Sequence, residues 1–109
     1  MRADSFCQDI FQIKNMVQLL SDAEIQAQLT TVPDWQLTGK KIKCVRVFRD
    51  FVAAIDFVNQ LVAPAEAAGH HPDLSISYNR VTIELTTHDA GGLTEKDFAL
   101  AARISQLGG

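Results

Sequence analysis

The chain has 109 residues, of which 47% are hydrophobic and 21% are charged, a composition typical of one globular domain. Ten basic against thirteen acidic residues give a net charge of −3, which argues against a nucleic-acid partner, because such partners require a basic surface. Two cysteines are too few for a disulfide scaffold and no apolar run reaches the roughly 20 residues that span a bilayer, so we expect a cytoplasmic protein without a membrane partner.

The N-terminal part of the chain lacks a clear helix cap, and we predict that residues 1–19 form an extension to a single domain at 20–109. The first predicted helix begins at Ser21 and ends near Leu29. Ser21 followed three residues later by Glu24 is the pattern of a capping box, in which each residue bonds the other's backbone amide.

A hairpin of two short strands, at 35–37 and 42–48, follows this helix. The second helix begins after Asp50, a favourable N-cap, and ends at Gly69, which suits the left-handed position after a helix. Its predicted buried stripe recurs at helical spacing and consists of Phe51, Ile55, Val58 and Val62.

A second hairpin is predicted from alternating strands at 74–78 and 81–86 that meet at a turn around 79–80. The last helix begins at Thr94, with Asp97 at the third helical position of a capping box. The element order α-β-β-α-β-β-α predicts an α+β fold: a four-stranded antiparallel sheet with three helices packed on one face.

Three histidines, His70, His71 and His88, lie near the ends of the second hairpin. With the turn centred between residues 79 and 80, the register predicts that His88 lies beside His71. Histidines that converge suit general acid–base chemistry, because imidazole gains and loses protons near neutral pH. Ordinary strand-end histidines remain an alternative. A shared metal ion is a weaker one, because consecutive residues of an extended chain point to opposite faces.

Two carboxylates could support these histidines. Glu66 precedes His70 by one helical turn and could orient its imidazole. Asp97 could serve a site or only cap its own helix. Cys44 lies in the middle of a strand and is expected to be an inert core thiol.

Several spaced motifs resemble the pterin-4a-carbinolamine dehydratase family, and the resemblance extends over residues 20–107. Two shorter features, Trp35 and Phe48-x-Asp50-Phe51, agree with it. The motifs are Glu66-x-x-x-His70-His71-Pro72, Tyr78-Asn79-x-Val81-x-Ile83-x-Leu85-x-Thr87-His88 and Gly92-Leu93-Thr94-x-x-Asp97.

The resemblance implies a homodimer or homotetramer that dehydrates 4a-hydroxytetrahydrobiopterin to quinonoid dihydropterin, and so recycles the tetrahydropterin. It implies no redox cofactor and no metal. It also implies catalytic residues His70, His71 and His88, supporting residues Glu66 and Asp97, and substrate-binding residues Pro72, Thr87, Asp89 and Ala90.

One position departs from the family pattern. Some members carry an acidic residue directly before the two adjacent histidines, where this chain has Gly69. Two other functions stay open: a non-catalytic scaffold that stabilises a partner protein, and a dehydratase-like role in another pterin pathway.

Overall fold

A computed structural model of the protein describes residues 18–107. Most of the predicted extension, residues 1–19, therefore lies outside the described residues. The predicted element order is confirmed. The elements are α1 (Asp22–Leu29), β1 (Gln36–Thr38), β2 (Lys41–Val47), α2 (Phe51–Ala68), β3 (Asp73–Ser77), β4 (Arg80–Leu85), a 3₁₀ turn (His88–Ala90) and α3 (Glu95–Ser105).

The four strands form one antiparallel sheet in the order β1-β2-β4-β3. The two central strands supply one wall of the core, because their alternate residues are buried. Helices α2 and α3 supply the other wall. The core residues of these four elements are Ile42, Cys44, Ala54, Phe57, Leu61, Val81, Ile83, Leu85, Phe98, Leu100, Ala101 and Ile104.

Short-range capping patterns are confirmed at each helix start. The Glu24 amide donates to Ser21 Oγ at 3.1 Å, and the Ser21 amide donates to Glu24 Oε1 at 2.7 Å. Asp50 accepts from the Ala53 amide at 2.9 Å. These bonds satisfy amide groups that the first helical turn leaves without partners.

The predicted buried stripe of α2 is wrong at both ends. Phe51 is 50% exposed and Val62 is 58% exposed. The helix instead buries Ala54, Phe57, Leu61, Pro64 and Ala65. Because α2 has apolar residues around most of its circumference, its sequence period does not identify the face that packs. The sheet selects the face with small alanines, which allow close approach.

The register of the second hairpin is also shifted from its prediction. Ser77 pairs with Arg80, so the connection is Tyr78–Asn79 rather than 79–80. Tyr78 adopts a φ of +54° and is 64% exposed, whereas the sequence placed it inside a strand. Each β4 residue therefore pairs with a β3 residue two positions earlier in the chain than predicted.

Helix α2 is long and apolar enough to cross a membrane by length and composition alone. The helix nevertheless contributes three buried side chains to the core: Ala54, Phe57 and Leu61. The Cys44 thiol lies in the same core, and burial raises its pKa. A neutral buried thiol is a poor nucleophile, which fits the predicted inert role.

Candidate active site

A pocket of about 240 Å³ brings all three histidines together. It lies where the end of α2, the end of β4 and the start of α3 meet. The volume is slightly below the roughly 300–1,000 Å³ of drug-sized ligand sites, so the space suits a small ring system. Its lining residues are Gly69, His70, His71, Thr86, Thr87, His88, Asp89 and Lys96.

Gly69 determines how the adjacent histidines are oriented. It ends α2 in the left-handed conformation, with a φ of +61°, which glycine adopts without steric cost. The His70 amide then donates to the Ala65 carbonyl at 3.1 Å. After this turn His70 is buried and His71 is exposed, so the two adjacent side chains have different surroundings.

His70 is paired with a fully buried carboxylate. Its Nε2 lies 2.5 Å from Asp97 Oδ1, and the exposed fractions of the two side chains are 10% and 0%. The other carboxylate oxygen accepts from the Thr94 amide and from the Thr87 hydroxyl, both at 2.9 Å. Asp97 thus caps α3 with one oxygen and contacts His70 with the other, so it does more than cap its own helix.

His71 makes the analogous contact in solvent. Its Nε2 lies 2.7 Å from Glu66 Oε2, and the side chains are 64% and 68% exposed. Glu66 was predicted to orient His70, but the structure places it against His71. Water and salt screen such a pair, so it orients the ring weakly.

His88 reaches the pocket by a different route from the predicted strand. Strand β4 ends at Leu85, and His88 begins the 3₁₀ turn, where its side chain is exposed. The Thr87 amide donates to the Gly92 carbonyl at 3.0 Å, and the Gly91 amide donates to the Thr87 carbonyl at 3.0 Å. This closed loop, rather than hairpin register, brings His88 to the other two histidines.

The four predicted substrate-binding residues occupy different places. Asp89 and Thr87 line the pocket, although the Thr87 hydroxyl is engaged by Asp97. Pro72 lines a neighbouring apolar groove, and Ala90 lies within the 3₁₀ turn.

Lys96 lines the same pocket, although no role in the site was predicted for it. Its position directly before Asp97, at the start of a helix, was the available signal. The Lys96 ammonium adds a positive charge to the site. Within residues 18–107, no three His, Cys, Asp or Glu side chains are grouped so that they could hold a metal ion.

A family model described as "Pterin 4 alpha carbinolamine dehydratase" matches residues 18–107. The chain belongs to this family. A relative from Cyanothece sp., named "Putative pterin-4-alpha-carbinolamine dehydratase", is 70% identical over 92 residues, which are 84% of this chain and 95% of the relative. A relative of the same name from Trichormus variabilis is 62% identical over 92 residues, which are 84% of this chain and 99% of the relative.

Two solved structures are similar in fold. A transcriptional coactivator/pterin dehydratase from Brucella melitensis has a TM-score of 0.78 and 33% identity, with 83% of this chain and 98% of that chain covered. A pterin dehydratase-like protein described as a RuBisCO assembly factor in the alpha-carboxysome has a TM-score of 0.52 and 25% identity. The match covers 64% of this chain and 81% of that chain.

Proposed function

We propose that this chain catalyses, in the cytoplasm, the dehydration of 4a-hydroxytetrahydrobiopterin to quinonoid dihydropterin and so recycles the tetrahydropterin. The observation that carries the proposal is the convergence of three histidines on one small pocket, one of them held by a buried aspartate. Membership in the carbinolamine dehydratase family supports the same reaction.

The reaction needs proton transfers and no change in oxidation state. The C4a–O bond breaks, the oxygen takes up a proton and leaves as water, and a neighbouring ring nitrogen forms the C=N bond and loses its proton. Hydroxide is a poor leaving group, so an acid must supply that proton, and a base must accept the one from nitrogen. His70, His71 and His88 provide these groups.

Turnover of synthetic 4a-hydroxytetrahydropterin, followed by ultraviolet absorbance, tests this function. Replacing His88 with alanine should lower kcat/KM by about 10²–10⁴-fold, the usual contribution of a positioned acid or base. Its side chain is exposed, so the free energy of unfolding should stay within roughly 0.5 kcal/mol of the wild type. Asp56→Asn, at an exposed position of α2, is the control for a polar surface change.

Two results would contradict the proposal. If the wild-type protein does not accelerate dehydration above the buffer rate, the non-catalytic scaffold becomes the better interpretation. If His88→Ala turns over normally, the site assignment is wrong even when the wild-type protein is active.

We also propose that the protein is a homo-oligomer that joins copies at β3. This edge strand is exposed along its whole length, and Leu74 and Ile76 are 38% and 41% exposed although they face the helix side. With Val62, Leu74 lines an apolar groove of about 210 Å³. A second copy is the occupant that fits, because an unpaired strand edge can pair with its own symmetry mate.

Sedimentation of Ile76→Lys tests the interface. We expect the substitution to shift the protein to a smaller species, because it places a charge on the apolar side of the edge. Ser75→Lys, on the opposite face of the same strand, should retain the assembly. A wild-type protein that sediments as a monomer at micromolar concentration would contradict this proposal.

A further inference from the structure

Within residues 18–107 the buried polar side chains form one group behind the histidine pocket. They are Asp97, Thr94, Thr87 and His70, which are 0%, 1%, 5% and 9% exposed. Buried polar groups are costly unless they are hydrogen-bonded, so a group this enclosed has few permissible arrangements of protons.

The direction of each hydrogen bond follows from the carboxylate. Ionised Asp97 can only accept, so His70 Nε2 and the Thr87 hydroxyl both donate to it. A hydroxyl has a single proton, and therefore the Thr87 oxygen must accept from the Thr94 hydroxyl, 2.8 Å away. The Thr94 oxygen in turn accepts from the Lys96 amide at 3.2 Å.

This chain of donors has a consequence for His70. A neutral imidazole carries one proton, and the network requires it on Nε2. Nδ1 is then the nitrogen that is free to gain or lose a proton, in either charge state of the ring. If the proton moved to Nδ1, a lone pair on Nε2 would face the carboxylate oxygen.

We propose that Thr87 and Thr94 are positioning residues that orient Asp97, so that His70 exchanges protons with the substrate only through Nδ1. The assignment of Thr87 thereby changes from substrate contact to support of the site. The catalytic consequence rests on the proposed dehydratase function, whereas the location of the proton does not.

Nitrogen NMR of ¹⁵N-histidine-labelled protein tests the location directly, because two-bond couplings identify which ring nitrogen carries the proton. In the wild-type protein we expect the proton on Nε2 of His70. A proton on Nδ1, or an even mixture of the two tautomers, would overturn the proposal. This measurement needs no substitution and no substrate.

The Asp97→Asn variant provides the sharper test. The Thr94 amide and Thr87 hydroxyl both donate, so they should hold the new amide with its oxygen towards them and its NH₂ towards His70. His70 Nε2 must then accept, and the proton should move to Nδ1. A proton that stays on Nε2 in this variant would show that the threonine side does not set the orientation.

Activity of threonine variants tests the positioning role. Thr87→Val should lower kcat roughly tenfold with KM nearly unchanged, because the carboxylate loses a donor while the pocket keeps its shape. Thr87→Ser should restore most of kcat. Thr82→Val, on the outer face of β4, is the matched control. Equal kcat for Thr87→Val and Thr82→Val would overturn the role.

The two proposals fail in different ways. If His70 has the expected tautomer but the wild-type protein does not dehydrate the carbinolamine, the network stands and the function is wrong. If turnover is rapid but the tautomer is reversed, the function stands and the network is wrong.

Discussion

His70 and His71 are consecutive in the chain, and each places Nε2 against a carboxylate oxygen, at 2.5 Å for His70 and 2.7 Å for His71. The surroundings differ completely. The partner of His70 is fully buried and accepts two further hydrogen bonds, from Thr94 and Thr87. The partner of His71 lies on an exposed turn of α2.

The comparison shows that a carboxylate partner does not by itself define the role of a histidine. In the buried pair, the low dielectric strengthens the hydrogen bonds, and the donors from Thr87 and Thr94 hold the carboxylate in one orientation. In the exposed pair, water competes for both groups, and long side chains lose conformational entropy when they are held. We therefore expect His70 to be oriented before substrate binds and His71 to be adjustable.

Removing the buried carboxylate should have the largest effect. Asp97→Ala leaves the Thr94 amide, the Thr87 hydroxyl and His70 without their acceptor, and it also removes a helix cap. We expect a loss of about 3–5 kcal/mol in the free energy of unfolding, measured by urea denaturation. Asp56→Ala, which removes an exposed carboxylate from the middle of α2, should change it by less than roughly 0.5 kcal/mol. Equal losses in the two variants would show that burial of Asp97 does not make its carboxylate more important for stability.

Replacing each histidine with alanine should give a smaller difference in the free energy of unfolding between the buried and the exposed pair. His70→Ala leaves Asp97 with two donors and admits water from the pocket, so a loss of about 1–3 kcal/mol is expected. His71→Ala should stay within roughly 0.5 kcal/mol of the wild type. The contrast would be lost if both variants had the same denaturation midpoint.

The smallest effect should come from the exposed carboxylate. Glu66→Gln should reduce stability by less than about 1 kcal/mol, and the difference from wild type should shrink as salt is added, because solvent ions screen the pair. Thermal unfolding at low and high ionic strength measures it, in buffer acidic enough to protonate the imidazole, because only the protonated ring forms an ion pair with Glu66. A larger difference that persists in high salt would mean that the pair is more protected than its exposure indicates.

Local patterns were the part of this molecule that the sequence predicted well. The caps at Ser21, Asp50 and Thr94 depend on contacts three residues apart, so their residue types are sufficient. The stripe of α2 was mispredicted because nearly every face of that helix is apolar. The hairpin register was mispredicted because Tyr78–Asn79 lacks the glycine that marks a tight turn.

The site was predictable in composition but not in its pairings. Its histidines were named from the sequence, yet the contact between His70 and Asp97 joins residues 27 positions apart and depends on how α2 and α3 pack. One signal for the buried network was available. Val81, Ile83 and Leu85 face the core, and the same alternation places Thr87 there, where a hydroxyl needs a partner.

Trp35 gives the molecule an optical reporter that is remote from its chemistry. It is the only tryptophan in the chain, is 3% exposed, and donates from Nε1 to Ser105 Oγ at 2.9 Å. Ser105 lies eight residues beyond Asp97 on α3, about 12 Å along the helix axis. The fluorescence of Trp35 should therefore change when the whole domain unfolds, and it should not change when protons are transferred at the pocket. A single cuvette can then distinguish a variant that has unfolded from one that is folded and inactive.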